Sequence, residues 1–276
     1  MAGDLATLVR AHAWDRYIAT LFAPADKREA LFALYAFDIE ISRICDLVHD
    51  PLPGEIRLQW WRDVANGQRD GEASGHPVAS ALLKTIKDHD LPCSAFDAYC
   101  EARIFEFYQD VMPDQTALEA YLGATQSSII QLAAMIVDRD AAKRATDAAG
   151  HAGVAFGLAQ IIARLPTLRR RRQGFVPESL LQSLGTTSEA FFSGGDKAAG
   201  DRVCEALIAL CEDHLAKYKA LKPVIPASLK SAFLPLAPVP RLLKAASRNS
   251  DIMNQPVAVS QFTRMVDIVR GAISAR

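Results

Sequence analysis

The chain is poor in the signals that settle a function quickly. It has no apolar run of about eighteen residues, the length a helix needs to cross a bilayer. Its N-terminus, MAGDLATLVRAHAWDRY, lacks the basic-then-apolar order of a secretory signal. Neither a spanning helix nor export is therefore expected. Charge of one sign is missing too: 31 basic residues face 32 acidic ones, a formal net charge of −1, so no global field draws the protein to nucleic acid. The five cysteines form no CxxC pair and are odd in number. They are expected to be reduced structural thiols in a cytosol-like compartment. No histidine pair has HExxH spacing, Ser127-Ser128 has no base nearby in sequence, and no GxGxxG follows a strand. A zinc hydrolase, a serine triad and a nucleotide-binding fold thus lack support. The last absence is local: no Asp or Glu occurs from Ala148 to Pro177, while Arg164 and the run Arg169, Arg170, Arg171 and Arg172 fall within that stretch.

What is present is helix. Half of the residues are hydrophobic, enough for a sizeable core, and their spacing follows the helical period with almost no strand alternation. Helices are predicted at roughly 4–22, 27–49, 53–67, 76–89, 93–110, 115–138, 141–165, 177–184, 198–221, 226–235, 239–247 and 258–274. No linker between them is long enough to divide the chain, so residues 1–276 read as one all-α domain. Small residues recur on three helices, at Ala33 and Ala36, at Ala124, Ser127 and Ser128, and at Gly153, Ala155, Gly157 and Ala159. Together they point to close packing around a central apolar cavity.

Three segments carry a resemblance. LFALYAFDIEISRICDLVHD, RLQWWRDVANG and GLAQIIARLPTLRRRRQGFVP occur in an order that resembles the squalene/phytoene synthase family, the head-to-head prenyl synthases. The likeness covers nearly the whole chain and implies an isoprenoid-synthase fold. In active members two Asp pairs hold Mg²⁺, which grips a prenyl diphosphate and neutralises the leaving group. Registered on Tyr35-Ala36-Phe37, the first acidic motif corresponds to Ser42, Arg43 and Asp46, and the second to Arg164 and Leu168. Of these only Asp46 is acidic. The residue two after Tyr121, where the family usually has an arginine, is Gly123.

Other acids offer a fallback for catalysis in Asp38, Asp46 and Asp50, with Asp46 and Asp50 as the fallback metal pair. Asp38 and Asp46 are eight residues apart, about 12 Å along a helix and too far to share an ion. Asp50 precedes Pro51, which biases it out of helical geometry. Pro166 is expected to end its helix. On this register the cavity or ligand-binding residues are Tyr35, Ser42, Arg43, Asp46, Tyr121, Thr125, Ser128, Gly157, Gln160 and Arg164. Arg164 is expected either to meet an anionic headgroup or to pair with Asp46 or Asp38. His49 and His151 are the histidines expected near the cavity, and only one of Trp60 and Trp61 is expected to face the core squarely.

YAFDIEISRICD, TQSSIIQL and Ala163-Arg164-Leu165-Pro166 resemble in particular the prenyl-synthase-like assembly factors of respiratory complex I and their bacterial relatives. That branch implies a pseudo-enzyme without cofactor, associated with complex I subunits and holding an isoprenoid or lipid. It implies a cytoplasmic protein, either free or peripheral to the inner membrane; the run Arg169 to Arg172, by its composition and place after the helix, is expected to be a solvated loop or a contact for anionic lipid or an acidic partner. The alternatives are a Mg²⁺-dependent prenyltransferase and a soluble isoprenoid-binding module.

Overall fold

Prolines and side-chain caps punctuate the chain into helices. Pro51 and Pro77 stand at helix starts, after an extended Asp50 and His76. Asp114, Asp138, Thr187, Asp196 and Ser260 each accept a hydrogen bond from the backbone N–H three residues on. The computed structural model describes residues 2–48 and 50–274; His49 lies outside the described residues. The main helices are α1 (Ala2–His12), α2 (Trp14–Leu21), α3 (Arg28–Ser42), α4 (Ile44–Leu47) and α5 (Pro51–Ala65). They continue with α6 (Pro77–His89), α7 (Cys93–Arg103), α8 (Gln115–Leu122), α9 (Ser128–Val137) and α10 (Thr146–Arg170). α11 (Lys197–Leu221), α12 (Val239–Ala246) and α13 (Gln261–Ile273) complete them. No strand occurs among the described residues, only an isolated bridge between Val111 and Gly174.

α10 is the central element. Most residues from Ala148 to Leu168 are buried, and its most extensive helix contact is with α11. Its glycines allow a second close approach, on another face. A Cβ on Gly153 would collide with the Ser127 backbone, and one on Gly157 would run into Leu122. Between α8 and α9 the chain makes a single π turn, Gly123–Ser127, lying against that glycine face. All five cysteines are unpaired.

Three boundaries differ from the sequence reading. The expected helix 4–22 breaks at Ala13 (φ −138°, ψ 59°), which turns Trp14 to Arg16 inward. The helix expected over 27–49 halts at Ser42, and α4 adds only one further turn. Pro166 does not end α10, which runs on to Arg170. A proline inside a helix costs about 3 kcal/mol, but here Leu165, Pro166 and Leu168 are all buried. The neighbouring Ala163 carbonyl accepts from the Val257 N–H at 3.1 Å, so that turn is tied to the chain outside the helix. Two stretches, Gln115–Val137 and Arg139–Arg170, are long and apolar enough to cross a membrane by composition, yet both lie largely inside the protein.

Candidate functional site

A cavity of about 410 Å³ opens between the α1–α2 junction, α3, the π turn and α10. α3 and α4 turn Asp38, Ser42 and Cys45 toward it, a stripe at helical spacing, and α10 turns Gly157, Gln160, Arg164 and Leu168. Its wall is not the apolar one expected. Arg16, Arg103, Arg164 and Arg264 line it together with Asp15, Asp38 and Glu106.

These charges are organised. Asp38, 6% exposed, accepts from Arg16 at Oδ2 and from the Tyr99 hydroxyl at Oδ1, and Arg103 Nη2 lies 3.4 Å from that same Oδ1. Arg16 Nη2 also donates to Gln126 Oε1 at 3.0 Å, and its guanidinium lies 5.2 Å from the Tyr35 ring centre and 5.4 Å from that of Phe156. Arg103 donates to Glu106 Oε1 at 2.6 Å and to the Tyr99 oxygen at 2.9 Å, and the Tyr121 hydroxyl closes the circuit by donating to Glu106. Burial alone would raise the Asp38 carboxyl, but Arg16 and Arg103 outweigh it and hold the pKa below the ordinary carboxylate value. At the rim Arg264 Nη1 is 3.0 Å from Asp15 Oδ2. Burial nevertheless raises Asp15 above its ordinary value, because Arg264 offsets only part of the desolvation. Every lining carboxylate thus has an arginine, and Arg164 is the lining cation left without an acid among the described residues.

The residues expected at the site divide. Ser42, Tyr121, Gly157, Gln160 and Arg164 line the cavity, and so does Asp38. Tyr35 does not; it is 3% exposed and packs beneath Arg16. Arg43 faces outward, its Nη1 3.2 Å from His12 Nε2. Thr125 and Ser128 are turned away, donating to backbone carbonyls one turn earlier, Tyr121 O at 2.8 Å and Ala124 O at 2.6 Å. The cause is the π turn: in an α-helix the residues four and seven after Tyr121 share its face, but a wider turn substitutes the fifth, Gln126. Arg164 pairs with neither Asp38 nor Asp46, since Arg16 and Arg103 hold the first and Arg171 the second. His151 lies against His214, outside the cavity lining. Trp61 is buried edge-on to Phe37, while the half-buried Trp60 donates to Glu72 Oε2 at 3.0 Å.

Arg16, Arg103, Glu106 and Gln126 were not foreseen. The Arg-x-x-Glu spacing at 103 and 106 was a signal for an ion pair, but nothing local tells that it is buried beside Asp38.

The donor set does not fit a Mg²⁺ site. Asp38 is saturated by two arginines and a tyrosine, Asp46 lies outside the cavity lining where it was expected and is bound to Arg171, and Asp50 stands exposed in extended backbone before α5. Arg164 and Leu168 on the opposite wall supply no hard anionic oxygen. Among the described residues no cluster of three His, Cys, Asp or Glu could hold a metal ion.

An all-helical bundle with this cavity, at these positions of α3 and α10, defines a prenyl-synthase-like protein. The family model for squalene/phytoene synthase matches residues 9–263, and the chain belongs to that family. Human NADH dehydrogenase (ubiquinone) complex I, assembly factor 6 is 27% identical over 243 residues, 87% of this chain and 72% of the relative. Its Drosophila melanogaster homolog is 25% identical over 272 residues, 93% and 78% of the two chains. Among solved structures, squalene synthase HpnC from Alicyclobacillus acidocaldarius superposes with a TM-score of 0.74 at 17% identity, covering 92% of this chain and 95% of that one. A ligand-bound dehydrosqualene synthase gives 0.77 at 12% identity, covering 98% and 94%. The fold is therefore that of the isoprenoid synthases.

Proposed function

We propose that this chain is a non-catalytic member of the family that assists assembly of respiratory complex I at the inner face of an energy-transducing membrane. The observation that carries the non-catalytic part is the clamp on Asp38. Removing an acid from two buried arginines would cost several kcal/mol, so Asp38 is not free to recruit a metal ion. The assembly role is supported by the relatives of the same fold that are named for it, each matching most of this chain. Deleting the gene and resolving membrane complexes on native gels tests it. Loss of assembled complex I, restored by the intact gene, is the expected result; normal complex I levels would overturn the reading.

A second reading, a module that holds an isoprenoid or lipid, is favoured by Arg164, a lining cation without a carboxylate partner at the cavity. A guanidinium offers a headgroup phosphate or carboxylate two parallel donors without any metal. Organic extraction of the purified protein followed by mass spectrometry should recover an anionic lipid that the Arg164→Ala protein lacks. Recovery of none, or of equal amounts from both, counts against it.

A further inference from the structure

The arginine run that the sequence offered as a solvated loop or a lipid contact is largely tied down within the protein. Arg171 meets Asp46, Arg172 pairs with Glu189, and Arg169 donates to the Phe192 carbonyl at 3.3 Å and to Asn254 Oδ1 at 3.2 Å. The last of these bonds helps to hold the segment that leads from α12 to α13. Ile252 and Met253 are buried there, Met253 against Gly200, and the Val257 N–H is bonded to the Ala163 carbonyl. Beyond that point the anchoring stops. Ala258 and Val259 make no backbone hydrogen bond among the described residues, and Ser260 bonds only into the first turn of α13.

α13 is fastened unequally. It packs on α2 and on the turn Leu234–Leu236, through a small apolar cluster of its own made by Ile18, Ala19, Leu234 and Ile268. Ile268 is the one fully buried residue of the helix and lies in its second half. Beside it Arg241 holds Asp267 by two hydrogen bonds, 2.6 and 2.8 Å, and Lys230 donates to the Ala272 and Ser274 carbonyls at 2.6 and 2.7 Å. The first turn, Gln261 to Arg264, is held to the body by polar contacts: Trp14 Nε1 donates to the Gln261 carbonyl at 3.1 Å, and Arg264 meets Asp15. Phe262 there is 70% exposed.

That latch is imperfect. Asp15 Oδ1 and Arg264 Nε are buried with no partner among the described residues, and each unpaired polar atom costs the closed state free energy. Both residues line the cavity, as do Trp14 and Gln261. The weakly held end of α13 is therefore the end that forms the cavity's edge, and segments with few buried apolar contacts open at the least cost.

We propose that α13 is a gate: its first half lifts from the α1–α2 junction, pivoting at Asp267 and Ile268 with Ala258 to Ser260 as slack, and widens the way into the cavity. The purpose of the gate rests on the reading that the cavity holds a ligand; the motion does not, and it can be measured without one.

Residue-resolved hydrogen exchange of the full chain tests the motion. A short helix end lifted into water frays, so protection at Met265, Val266 and Asp267 should be at least about tenfold lower than at Gly271, Ala272 and Ile273. Arg264→Gln should lower protection in the first set about threefold or more and leave α10 unchanged. Trp14→Phe, which keeps a ring and removes the donor, should act in the same direction. In the Arg264→Gln protein hydroxyl radicals should oxidise Trp14 faster, and the buried Trp61 no faster. The reverse gradient, with residues 271–273 least protected, would show a chain end that merely frays and overturns the gate. Equal protection in both halves of the wild-type helix overturns it too, as do variants that leave Met265 to Asp267 unchanged.

Discussion

Arg16 and Asp38 form an ion pair whose side chains are 6% and 8% exposed, at the cavity wall one turn before Ser42. The pair joins α2 to α3, and Arg103 from α7 completes it from the other side of the same carboxylate. Structure and chemistry meet here: what closes the site to metal also staples three helices together.

Asp38→Ala should therefore destabilise the fold sharply, by about 3–5 kcal/mol, because it leaves buried guanidinium groups without their acid. Asp38→Asn keeps the shape and some hydrogen bonds and should cost less. Urea unfolding measures both; a loss under about 1 kcal/mol for Asp38→Ala would show the clamp to be solvated.

A second, partly buried contact makes stability depend on pH. His151 Nδ1 and His214 Nδ1 are 3.1 Å apart, and His214 Nε2 is 3.4 Å from Glu119 Oε1. One proton fits between the two Nδ1 atoms. Burial first, then His214 and Lys217, lower the His151 pKa below its ordinary 6.5. The unfolded chain thus binds a proton that the folded one refuses, so stability is present above about pH 6.5 and is lost as the pH falls below it. Melting temperatures measured from pH 7.5 down to pH 5 should fall, and His151→Gln should flatten that slope; an unchanged slope in the variant would locate the titration elsewhere.

Gly153→Ala should destabilise by at least about 1–3 kcal/mol, since its Cβ meets the Ser127 backbone, which has nowhere to retreat. Gly150→Ala, open to space on the same helix, serves as the control and should be neutral or stabilising. Equal melting temperatures for the two would mean that α10 and the π turn do not approach so closely.

Restoring acids to one wall should not restore chemistry. Arg164→Asp with Leu168→Asp places two carboxylates one turn apart on α10, facing the cavity. Calorimetry should detect weak Mg²⁺ binding, but pyrophosphate release from farnesyl diphosphate should stay absent while Arg16 and Arg103 hold Asp38. Turnover by this variant would show that the clamp opens.

The fold was legible because it rests on periodicity: apolar spacing and prolines mark the main helices, and the ordered segments around Tyr35, Trp60 and Gln160 mark the family. The site was legible where it follows a straight helix, as at Ser42, Gly157, Gln160 and Arg164. It was not where one residue changes the phase. The π turn swaps Thr125 and Ser128 for Gln126, and the break at Ala13 brings Arg16 to Asp38. Nor can spacing along one helix reveal which arginine, among several, crosses to an acid on another. Asp38 was singled out as an acid but considered for metal, and its partners lie 22 and 65 residues away.

The most direct measurement is pyrophosphate release from farnesyl and geranylgeranyl diphosphate by the folded protein, with Mg²⁺ and with EDTA. No release under either condition is the result this account predicts. Release that EDTA abolishes would contradict it and return Asp38, Asp46 and Asp50 to a catalytic role.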